Sequence, residues 1–541
     1  MPQLTWIGKD KVKNHHHDIP FHLLKKEYDF KADNGKPENS QNNMLIQGDN
    51  LLALKSLLPK YEGKINCIYI DPPYNTGNEK WVYNDNVNDP RIKKWLGEVV
   101  GKEGEDLSRH DKWLCMMYPR LKLLHRLLAD DGVIFISIDD IEIAHLRLIC
   151  DEIFGYGNFV GNITRATGTT VQDTNKLGNA FDSILVYAKT SDFLINGIEL
   201  SEDDEKRYNL EDENGKFSIL QLRRTGAEDR REDRPSMYYP IISPDNTPIY
   251  PIGPTGYESR WRVGEDTYLK MLENNEIYFK NDNGEWKVYY KYYLEGRKKR
   301  PSNLWTELDG ERIDGNKKAS RELKEIFNKK VFDTPKPVSV LEHILTIATS
   351  KKSLILDSFI GSATTAHAVL NLNTRDGGSR QFIGIEMMDY AETITAERIR
   401  KVINGYGSKP ETQKGTGGGF SFYTIGETLF DSDGNLNNQA DLQSIREYIA
   451  HSEKLETVFN HNQETSGYFL GKNYHTAYVF YYEPDQITTL SLEFLRYLNA
   501  DFLSEKPQDY IIYADKCTLS DEQLAQFKIR FKRIPRDISK L

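Results

Sequence analysis

A carboxylate, two prolines and an aromatic ring follow directly after a short apolar segment. The motif is Asp71-Pro72-Pro73-Tyr74, and the segment before it, Ile65–Ile70, is rich in β-branched and aromatic residues. Such a segment, ended by two prolines, predicts a buried strand. Open α/β sheets bind their ligands beyond the carboxyl ends of strands, so the motif stands where a site is expected.

The groups of this motif suit a planar ring that carries an amine. The Asp71 carboxylate can accept one hydrogen of the amine, a carbonyl of the proline turn can accept the other, and an exposed Tyr74 can stack on the ring. An amine conjugated with a ring is a poor nucleophile, and two acceptors favour a tetrahedral nitrogen with a free lone pair. A turn that merely ends a strand explains the tetrapeptide equally well, so a second motif has to decide.

The second motif reads as a strand, a turn of small residues and a helix. The motif spans Leu354–Leu370, and Gly361 lets a ligand approach the turn backbone closely. The amides at the helix start can bind a carboxylate. Gln381–Glu386 predicts the next strand, which ends in an acid of the kind that holds ribose hydroxyls. An ordinary βαβ unit would look the same, but the sequence contains no P-loop.

Together the two motifs resemble the DNA amino-methyltransferases, which use S-adenosylmethionine. The tetrapeptide precedes the cofactor turn, an order similar to the β class of that family. The chain is more narrowly similar to the modification (Mod) subunits of type III restriction–modification systems. The resemblance covers most of 44–426 and rests on Gln47–Leu51, Asp71–Gly77, Asp131–Asp139, Thr334–Pro337, Phe359–Thr365 and Tyr390–Arg398.

The resemblance implies a role for each matching residue. Asp71, Pro72, Pro73 and Tyr74 would be catalytic and hold the target base. Glu386 would take the ribose, and Lys336 would lie in the segment that closes over the methionine end. The residues implied to bind the cofactor are Asp49, Lys336, Pro337, Asp357, Phe359, Gly361, Ser362, Thr364 and Glu386. For Asp49 an alternative stays open, an N-cap of the predicted helix Leu51–Leu58.

One position departs from the family pattern. Ala363 stands between Ser362 and Thr364, where a glycine is more usual. Alanine is compatible with the turn if its φ angle is negative, because only glycine adopts positive φ without strain. We therefore expect a negative φ at this position.

Between the two motif-bearing halves lies a segment rich in basic and aromatic residues. Arginine binds guanine edges, lysine and arginine neutralise phosphates, and aromatic rings stack on unpaired bases. The predicted DNA-contact residues are Arg223, Arg224, Arg231, Arg234, Arg260, Arg262, Arg297, Lys298, Lys299 and Arg300. A solvated charged surface is the alternative, since acids such as Glu228 and Asp229 are interleaved.

These patterns predict an α/β protein with a Rossmann-like, S-adenosylmethionine-dependent methyltransferase core of circularly permuted motif order. The core carries an inserted target-recognition domain and an α+β C-terminal domain. We divide the chain into a lead-in (1–43), a catalytic half (44–195), the target-recognition domain (196–330), a cofactor half (331–426) and a dimerisation or partner-docking domain (427–541).

Several elements of the core follow from the same patterns. Strands are predicted at Gly132–Asp139 and Phe181–Ala188, and helices at Lys112–Leu128 and Val338–Ile347. The charged segment from Asn78 to Lys112 is a candidate mobile loop, with a surface insertion as the alternative. In a permuted sheet, the strand predicted within Gly417–Ile425 pairs with the N-terminal half, so both halves form one domain.

Composition limits the class of protein. The chain has 541 residues and a net charge of −10, yet 427–510 alone holds fourteen acids and five bases, so the remainder is close to neutral. The four cysteines have no metal-like spacing, and we predict no metal site. The sequence contains neither a long apolar run nor a signal-peptide pattern, so we expect a cytoplasmic protein.

The predicted function is transfer of a methyl group from S-adenosylmethionine to the N6 amine of an adenine flipped out of duplex DNA. The chain would be the modification and specificity subunit of a type III system. Alternatives are methylation of the N4 amine of cytosine, a solitary methyltransferase, and a non-catalytic subunit that gives a nuclease its DNA specificity. Expected partners are double-stranded DNA, a second copy in a homodimer, and a separate restriction subunit with helicase and nuclease motifs.

Overall fold

One mixed sheet of ten strands runs through both motif-bearing halves. This computed structural model describes residues 4–32, 42–74, 108–167, 180–308, 311–312, 315–459, 467–498 and 506–539. From one edge to the other, the strands are β1 (His22–Lys31), β18 (Gly419–Thr428), β2 (Met44–Gln47), β17 (Gln381–Glu386), β16 (Leu354–Asp357), β3 (Ile65–Ile70), β4 (Leu128–Ile138), β6 (Phe181–Ala188), β5 (Phe159–Ala166) and β13 (Leu304–Trp305), numbered along the chain.

The centre of the sheet is parallel from β18 to β4, and its two motif strands are neighbours. Strands β16 and β3 pair in parallel, with Ile355 opposite Cys67 and Leu356 opposite Ile68. Side chains of β3 are buried on both faces, which explains why the run Ile65–Ile70 is almost continuously apolar. The predicted α/β core with permuted motif order is therefore confirmed.

Helices cover the sheet and supply most of its apolar contacts. In the unit that contains the sheet they are α1 (Lys9–Val12), α2 (His15–Asp18), α3 (Asn50–Tyr61), α4 (Ser108–Leu127), α5 (Ile143–Cys150), α8 (Gly315–Phe327), α9 (Val338–Ala348), α10 (Thr364–Asp376), α11 (Glu397–Asn404), α12 (Pro410–Gln413), α13 (Leu442–Ser452), α14 (Leu492–Tyr497) and α15 (Asp521–Gln526). Two π-helical turns, Asp151–Gly155 and Ala391–Ala396, adjoin α5 and α11. None of the helices in the described parts of the chain is both long and apolar enough to cross a membrane.

Most predicted elements of the core agree with the structure. Strands β3, β6 and β17 have the expected bounds, and α9 extends one residue further than expected. Strand β18 pairs with β2, as the permuted order requires. The prediction that both halves form one sheet is therefore confirmed. The candidate loop 78–112 lies outside the described residues, apart from 108–112 in α4.

The N-terminal lead-in is more structured than its polar composition indicates. Strand β1 pairs antiparallel with β18 and forms one edge of the sheet. Trp6, Val12 and Ile19 are buried in the core beneath it. The reason is that β1 is an edge strand in which half the residues are exposed and none is fully buried, so charged residues interrupt its apolar positions.

Contacts divide the described chain into two compact units, Met1–Asn196 with Ser302–Leu541, and Gly197–Pro301. The second unit contains α6 (Glu202–Glu205), α7 (Glu265–Glu273), a sheet of β7 (Leu210–Asp212), β8 (Gly215–Gln221), β12 (Glu285–Tyr293) and β11 (Ile277–Asp282), and the pair β9 (Ile241–Ile242) and β10 (Pro248–Ile249). Its own core includes Leu222, Trp261 and Val288. It ends at Pro301 rather than at the expected 330, because β13 and α8 pack within the first unit.

The C-terminal region of the first unit has a second sheet. Its strands are β19 (Thr457–Val458), β20 (Phe469–Asn473), β21 (Thr476–Phe480), β23 (Asp509–Ala514) and β25 (Ile529–Arg533). The same region contains the small pair of β22 (Thr489–Leu490) and β24 (Lys516–Cys517), and a second small pair, earlier in the chain, is formed by β14 (Glu307–Leu308) and β15 (Glu311–Arg312). Helix α13 packs against α3, and His451 forms an ion pair with Glu62 at 2.8 Å. The region therefore joins the catalytic half directly.

Candidate active site

Four acidic residues mark the carboxyl ends of four adjacent parallel strands. Asp49 follows β2, Glu386 ends β17, Asp357 ends β16 and Asp71 follows β3. Parallel strands that are neighbours in a sheet end at the same edge, so the pairing of β16 with β3 brings the two predicted motifs together. The sequence alone could not show this pairing.

Asp71 is held by two residues of the predicted site. The Lys336 ammonium lies 2.7 and 2.6 Å from the two carboxylate oxygens of Asp71. Tyr74 donates its hydroxyl hydrogen to Asp71 at 2.7 Å and accepts a hydrogen bond from Lys336 at 2.7 Å. Lys336 was expected at the methionine end of the cofactor, and the structure places its ammonium on the proposed catalytic acid.

The aromatic ring of the motif is less exposed than we expected. Tyr74 is only 8% exposed, because its bonds to Asp71 and Lys336 hold it against the turn. The Lys336 ammonium lies 4.9 Å from the centre of the ring. Lys336 therefore lies over the ring that the predicted mechanism uses for stacking.

The proline turn is fixed from behind by α4. The indole nitrogen of Trp113 donates a hydrogen bond to the Pro73 carbonyl at 2.7 Å, and Trp113 is fully buried. This bond involves the Pro73 carbonyl and not the Pro72 carbonyl, which is the second acceptor of the predicted mechanism.

The cofactor turn is closed by two buried acids. Glu386 accepts hydrogen bonds from the Gly361 and Met388 amides, at 2.9 and 3.0 Å. Asp357 accepts from the Phe359 amide at 3.0 Å and from the Thr365 hydroxyl. Burial raises the pKa of Asp357 to about 7, and these two hydrogen bonds act in the opposite direction.

Ala363 adopts the conformation that we expected it to avoid. Its φ is 65°, in the left-handed region, and it is the N-cap of α10. The backbone has to reverse here so that α10 begins directly after the turn, and Gly361, with φ 52°, makes the same kind of bend two residues earlier. The expected negative φ is wrong, and the alanine stores strain that a glycine would not.

Asp49 forms the N-cap that the alternative interpretation described. It accepts hydrogen bonds from the Leu51 and Leu52 amides at 2.8 and 3.3 Å. Its neighbour Asn50 donates to the Ser358 carbonyl at 3.1 Å and accepts from buried Arg120. Capping does not exclude a contact with the cofactor, because the second carboxylate oxygen, 3.6 Å from Arg120, takes no part in the cap.

A single cavity joins the two motifs. It contains the proposed catalytic acid and most of the proposed cofactor turn. Its lining residues are Tyr69, Asp71, Phe332, Thr334, Pro335, Lys336, Asp357, Phe359, Ile360, Gly361, Ser362, Thr364 and Thr365. A methyl donor on the turn and an amine on Asp71 would therefore share one space.

Comparison with known families matches the chain to a DNA methylase model over residues 65–397, which include both motifs. The chain belongs to the DNA methylase family. This DNA methylase is 35% identical to the EcoPI Mod subunit of a type III restriction–modification enzyme from Escherichia phage P1, over 71% of this chain and 63% of the relative. It is 35% identical to the type II methyltransferase M.KpnI of Klebsiella pneumoniae, over 69% of this chain and 87% of the relative.

A third relative is the type III EcoP15I Mod subunit of Escherichia coli, which is 32% identical over 71% of this chain and 64% of the relative. This chain thus spans less than two thirds of the length of these two Mod subunits.

The predicted DNA-contact residues of the methylase fall into a buried and an exposed group. Arg223 and Arg260 are buried, and their guanidinium groups bond Ser259 and the Glu228 carbonyl inside the second unit. They therefore stabilise that unit and are not placed for DNA contact. Arg224 and Arg262 are partly buried, and the exposed residues are Arg231, Arg234, Arg297, Lys298, Lys299 and Arg300.

Arg398 contacts the proposed cofactor turn, and the sequence analysis gave it no role. Fully buried on α11, it donates to the Ser362 carbonyl and the Thr364 hydroxyl, both at 2.9 Å. A second nitrogen faces Nδ1 of His367 at 3.3 Å, and burial keeps the pKa of His367 well below its ordinary value, so this imidazole is neutral and can accept. The only signal in the sequence was the position of Arg398 within a family motif. Trp113 had no such signal.

Proposed function

We propose that the chain methylates the N6 amine of adenine in duplex DNA. The observation that carries this proposal is the cavity in which Asp71 and the turn Phe359–Thr364 face each other. The family, which is one of DNA methylases, supports the class of reaction. The choice of adenine rests on Asp71, since relatives that methylate cytosine usually have serine there.

The residues fit S-adenosylmethionine as the methyl donor. The turn offers backbone and small side chains to the cavity, and a row of acids at the sheet edge favours a ligand with positive charge. Glu386 closes the turn and stands where such sheets hold a ribose. When bound, this cofactor supplies the methyl group that the amine attacks.

The protein's own contribution is mainly to position the amine. Asp71 accepts one of its hydrogens, the Pro72 carbonyl accepts the other, and Tyr74 lies against the ring. Lys336 bonds both Asp71 oxygens, and Tyr74 bonds one of them, so the amine can use the remaining lone pair of Oδ2 or replace Lys336. Flipping the base costs about a few kcal/mol, and stacking returns about 1–3 kcal/mol.

We further propose that the exposed basic residues of Gly197–Pro301 contact DNA and that the region after 426 serves dimerisation or the docking of a restriction subunit. Arg297, over the ring of Tyr292 at 3.7 Å, presents a cation and an aromatic face together. The relatives named as Mod subunits support the assignment to a type III system. A cytoplasmic location follows from a DNA substrate.

The test is incubation of the purified protein with genomic DNA and methyl-labelled S-adenosylmethionine, followed by nucleoside analysis. Label in N6-methyladenine supports the proposal. Label in N4-methylcytosine would support the same mechanism with cytosine, not adenine, as the target base. Absence of label, with DNA and cofactor both bound, favours a subunit that only confers specificity.

A further inference from the structure

Two histidines and a glutamate converge outside the proposed active site. Nδ1 of His110 lies 2.6 Å from one carboxylate oxygen of Glu142, and Nδ1 of His145 lies 3.0 Å from the other. One potential ligand atom from each residue lies within 4.8 Å of the others. His110 is in the first turn of α4, Glu142 precedes α5 and His145 lies in its first turn.

The carboxylate at the centre of this cluster is buried, and the two imidazoles beside it are partly exposed. The Glu142 side chain is 0% exposed, whereas those of His110 and His145 are 35% and 33% exposed. Buried charged groups in proteins are paired or bound to metals. The arrangement of one carboxylate and two imidazole nitrogens is therefore one that a divalent cation can use.

We infer that His110, Glu142 and His145 form a site for a divalent transition metal of the Zn²⁺ type. Two imidazoles and one carboxylate are ligands that Zn²⁺ accepts, with a solvent molecule in the fourth position. Tetrahedral ligands at Zn–N distances of about 2.0–2.1 Å lie about 3.3 Å apart. The N–O pairs now form hydrogen bonds of 2.6 and 3.0 Å, so a bound metal would replace these bonds and move the ligand atoms apart by a few tenths of an ångström.

The site would tie together two elements that border the active site. His110 and Trp113 are one helical turn apart on α4, and Trp113 bonds the Pro73 carbonyl. Glu142 and His145 belong to the segment after β4, the strand next to β3. A bound metal would therefore fix the start of α4, and through Trp113 the proline turn, against the end of β4.

The sequence contains only a weak sign of this site. Glu142 and His145 are three residues apart, a spacing that places both on one helix face. The third ligand, His110, is distant in the chain and meets them only because α4 and α5 pack together. The expectation of no metal site considered cysteine spacing and could not include this contact.

The test is direct metal binding by the full chain. After treatment with a chelator and dialysis, the protein is titrated with Co²⁺, whose visible absorption reports tetrahedral nitrogen and oxygen ligands, and with Zn²⁺ by calorimetry. We expect one ion per chain and a higher midpoint of thermal unfolding with Zn²⁺. His145→Ala and Glu142→Gln should weaken binding by about tenfold or more, since loss of an outer hydrogen bond alone costs about 10–100-fold.

The matched control is His451→Ala. His451 also pairs with a glutamate, Glu62, but the other partner of Glu62 is Arg126, which is not a metal ligand. This variant should bind the metal ion with the same affinity and stoichiometry as the protein without a substitution. If Glu142→Gln fails to fold, His110→Ala and His145→Ala decide, because both side chains are partly exposed. Binding below one ion per chain, or equal binding by His145→Ala, would overturn the proposal in favour of a purely hydrogen-bonded cluster.

Discussion

At the scale of single residues, the proposed reaction depends on the Asp71 carboxylate, which Lys336 bonds through both oxygens. We expect Asp71→Ala to lower the methylation rate by about 100-fold or more, because the amine loses its positioned acceptor. The cofactor should still bind with nearly the same affinity, since none of the hydrogen bonds that close the cofactor turn involves Asp71. Single-turnover rates and calorimetric cofactor affinities measure the two effects.

The control for this variant is Asp130→Ala, an exposed acid on β4, which should change neither quantity. A loss of cofactor affinity as large as the loss of rate in Asp71→Ala would contradict the role given to Asp71.

Ala363 offers a test of backbone strain at the cofactor turn. Its φ of 65° costs an L-residue about 1–2 kcal/mol relative to glycine, partly offset by the greater freedom of glycine in the unfolded chain. Ala363→Gly should therefore stabilise the protein by about 1 kcal/mol. Ala368→Gly, inside α10, is the matched control and should destabilise by about 1 kcal/mol or more. Denaturant unfolding gives both values; destabilisation by both variants would show that Ala363 is not strained.

The raised pKa of Asp357 predicts a dependence of stability on pH. Its pKa is about 7 when folded and 3.8 ordinarily, so the folded state favours the protonated form. The stabilisation from this group is present below about pH 4. It is lost as the pH rises to about 7, by at most about 4 kcal/mol.

Asp357→Asn removes this titration. We expect the free energy of unfolding of the variant, relative to the unchanged protein, to increase from pH 4 to pH 7 and then to stay constant. Asp130→Asn, at an exposed position, is the control and should show no such trend. Unfolding curves at several pH values measure it; a constant difference between variant and unchanged protein would refute the assignment.

At the scale of elements, α11 holds the cofactor turn through Arg398. Burial lowers the pKa of Arg398 to about 10, so the guanidinium is charged at neutral pH and bonds the Ser362 carbonyl and the Thr364 hydroxyl. The Thr364 hydroxyl in turn donates to the Lys336 carbonyl at 3.2 Å. One buried arginine therefore links the cofactor turn with the segment that reaches Asp71.

Arg398→Lys keeps the charge but loses the planar fork of donors. We expect the cofactor dissociation constant to rise about tenfold, as the loss of one or two hydrogen bonds implies, and the rate at saturating cofactor to change much less. Arg400→Lys, on the same helix but bonded to Glu392 and Tyr28, is the matched control. A fall in saturated rate without a change in cofactor affinity would argue against this positioning role.

At the scale of the whole molecule, the inserted unit Gly197–Pro301 has its own core and ends that lie side by side. Ile198 and Lys299 form an antiparallel bridge, so the chain enters and leaves the unit at adjacent positions. Replacing 197–301 by a short glycine-serine linker should leave the remaining protein folded and able to bind the cofactor. It should abolish sequence-specific DNA binding and methylation.

Circular dichroism, cofactor calorimetry and DNA electrophoretic mobility shifts measure these outcomes against the full chain. Sequence-specific binding that survives the excision would place target recognition outside the unit. Loss of cofactor binding by a folded remainder would show that the unit contributes to the cofactor site.

The sequence by itself determined the local elements and the chemical type of the site. Apolar runs ended by proline or glycine are local signals, so β3, β6 and β17 were predicted with their observed bounds. The Asp71 motif and the turn around Gly361 are likewise local signals, because each predicts a type of site from a few consecutive residues. The edge strand β1 was missed because its exposed side chains carry no such periodic signal.

Only the tertiary structure decided which of these residues meet. The order of strands places β16 beside β3 and so brings the segment of Lys336 to Asp71, while the packing of α4 brings Trp113 to Pro73. The packing of helices that brings His110 into contact with Glu142 could likewise not be predicted from the sequence. The physical reason is that these contacts join distant parts of the chain, and their energies depend on packing and burial, which no local pattern of residues encodes.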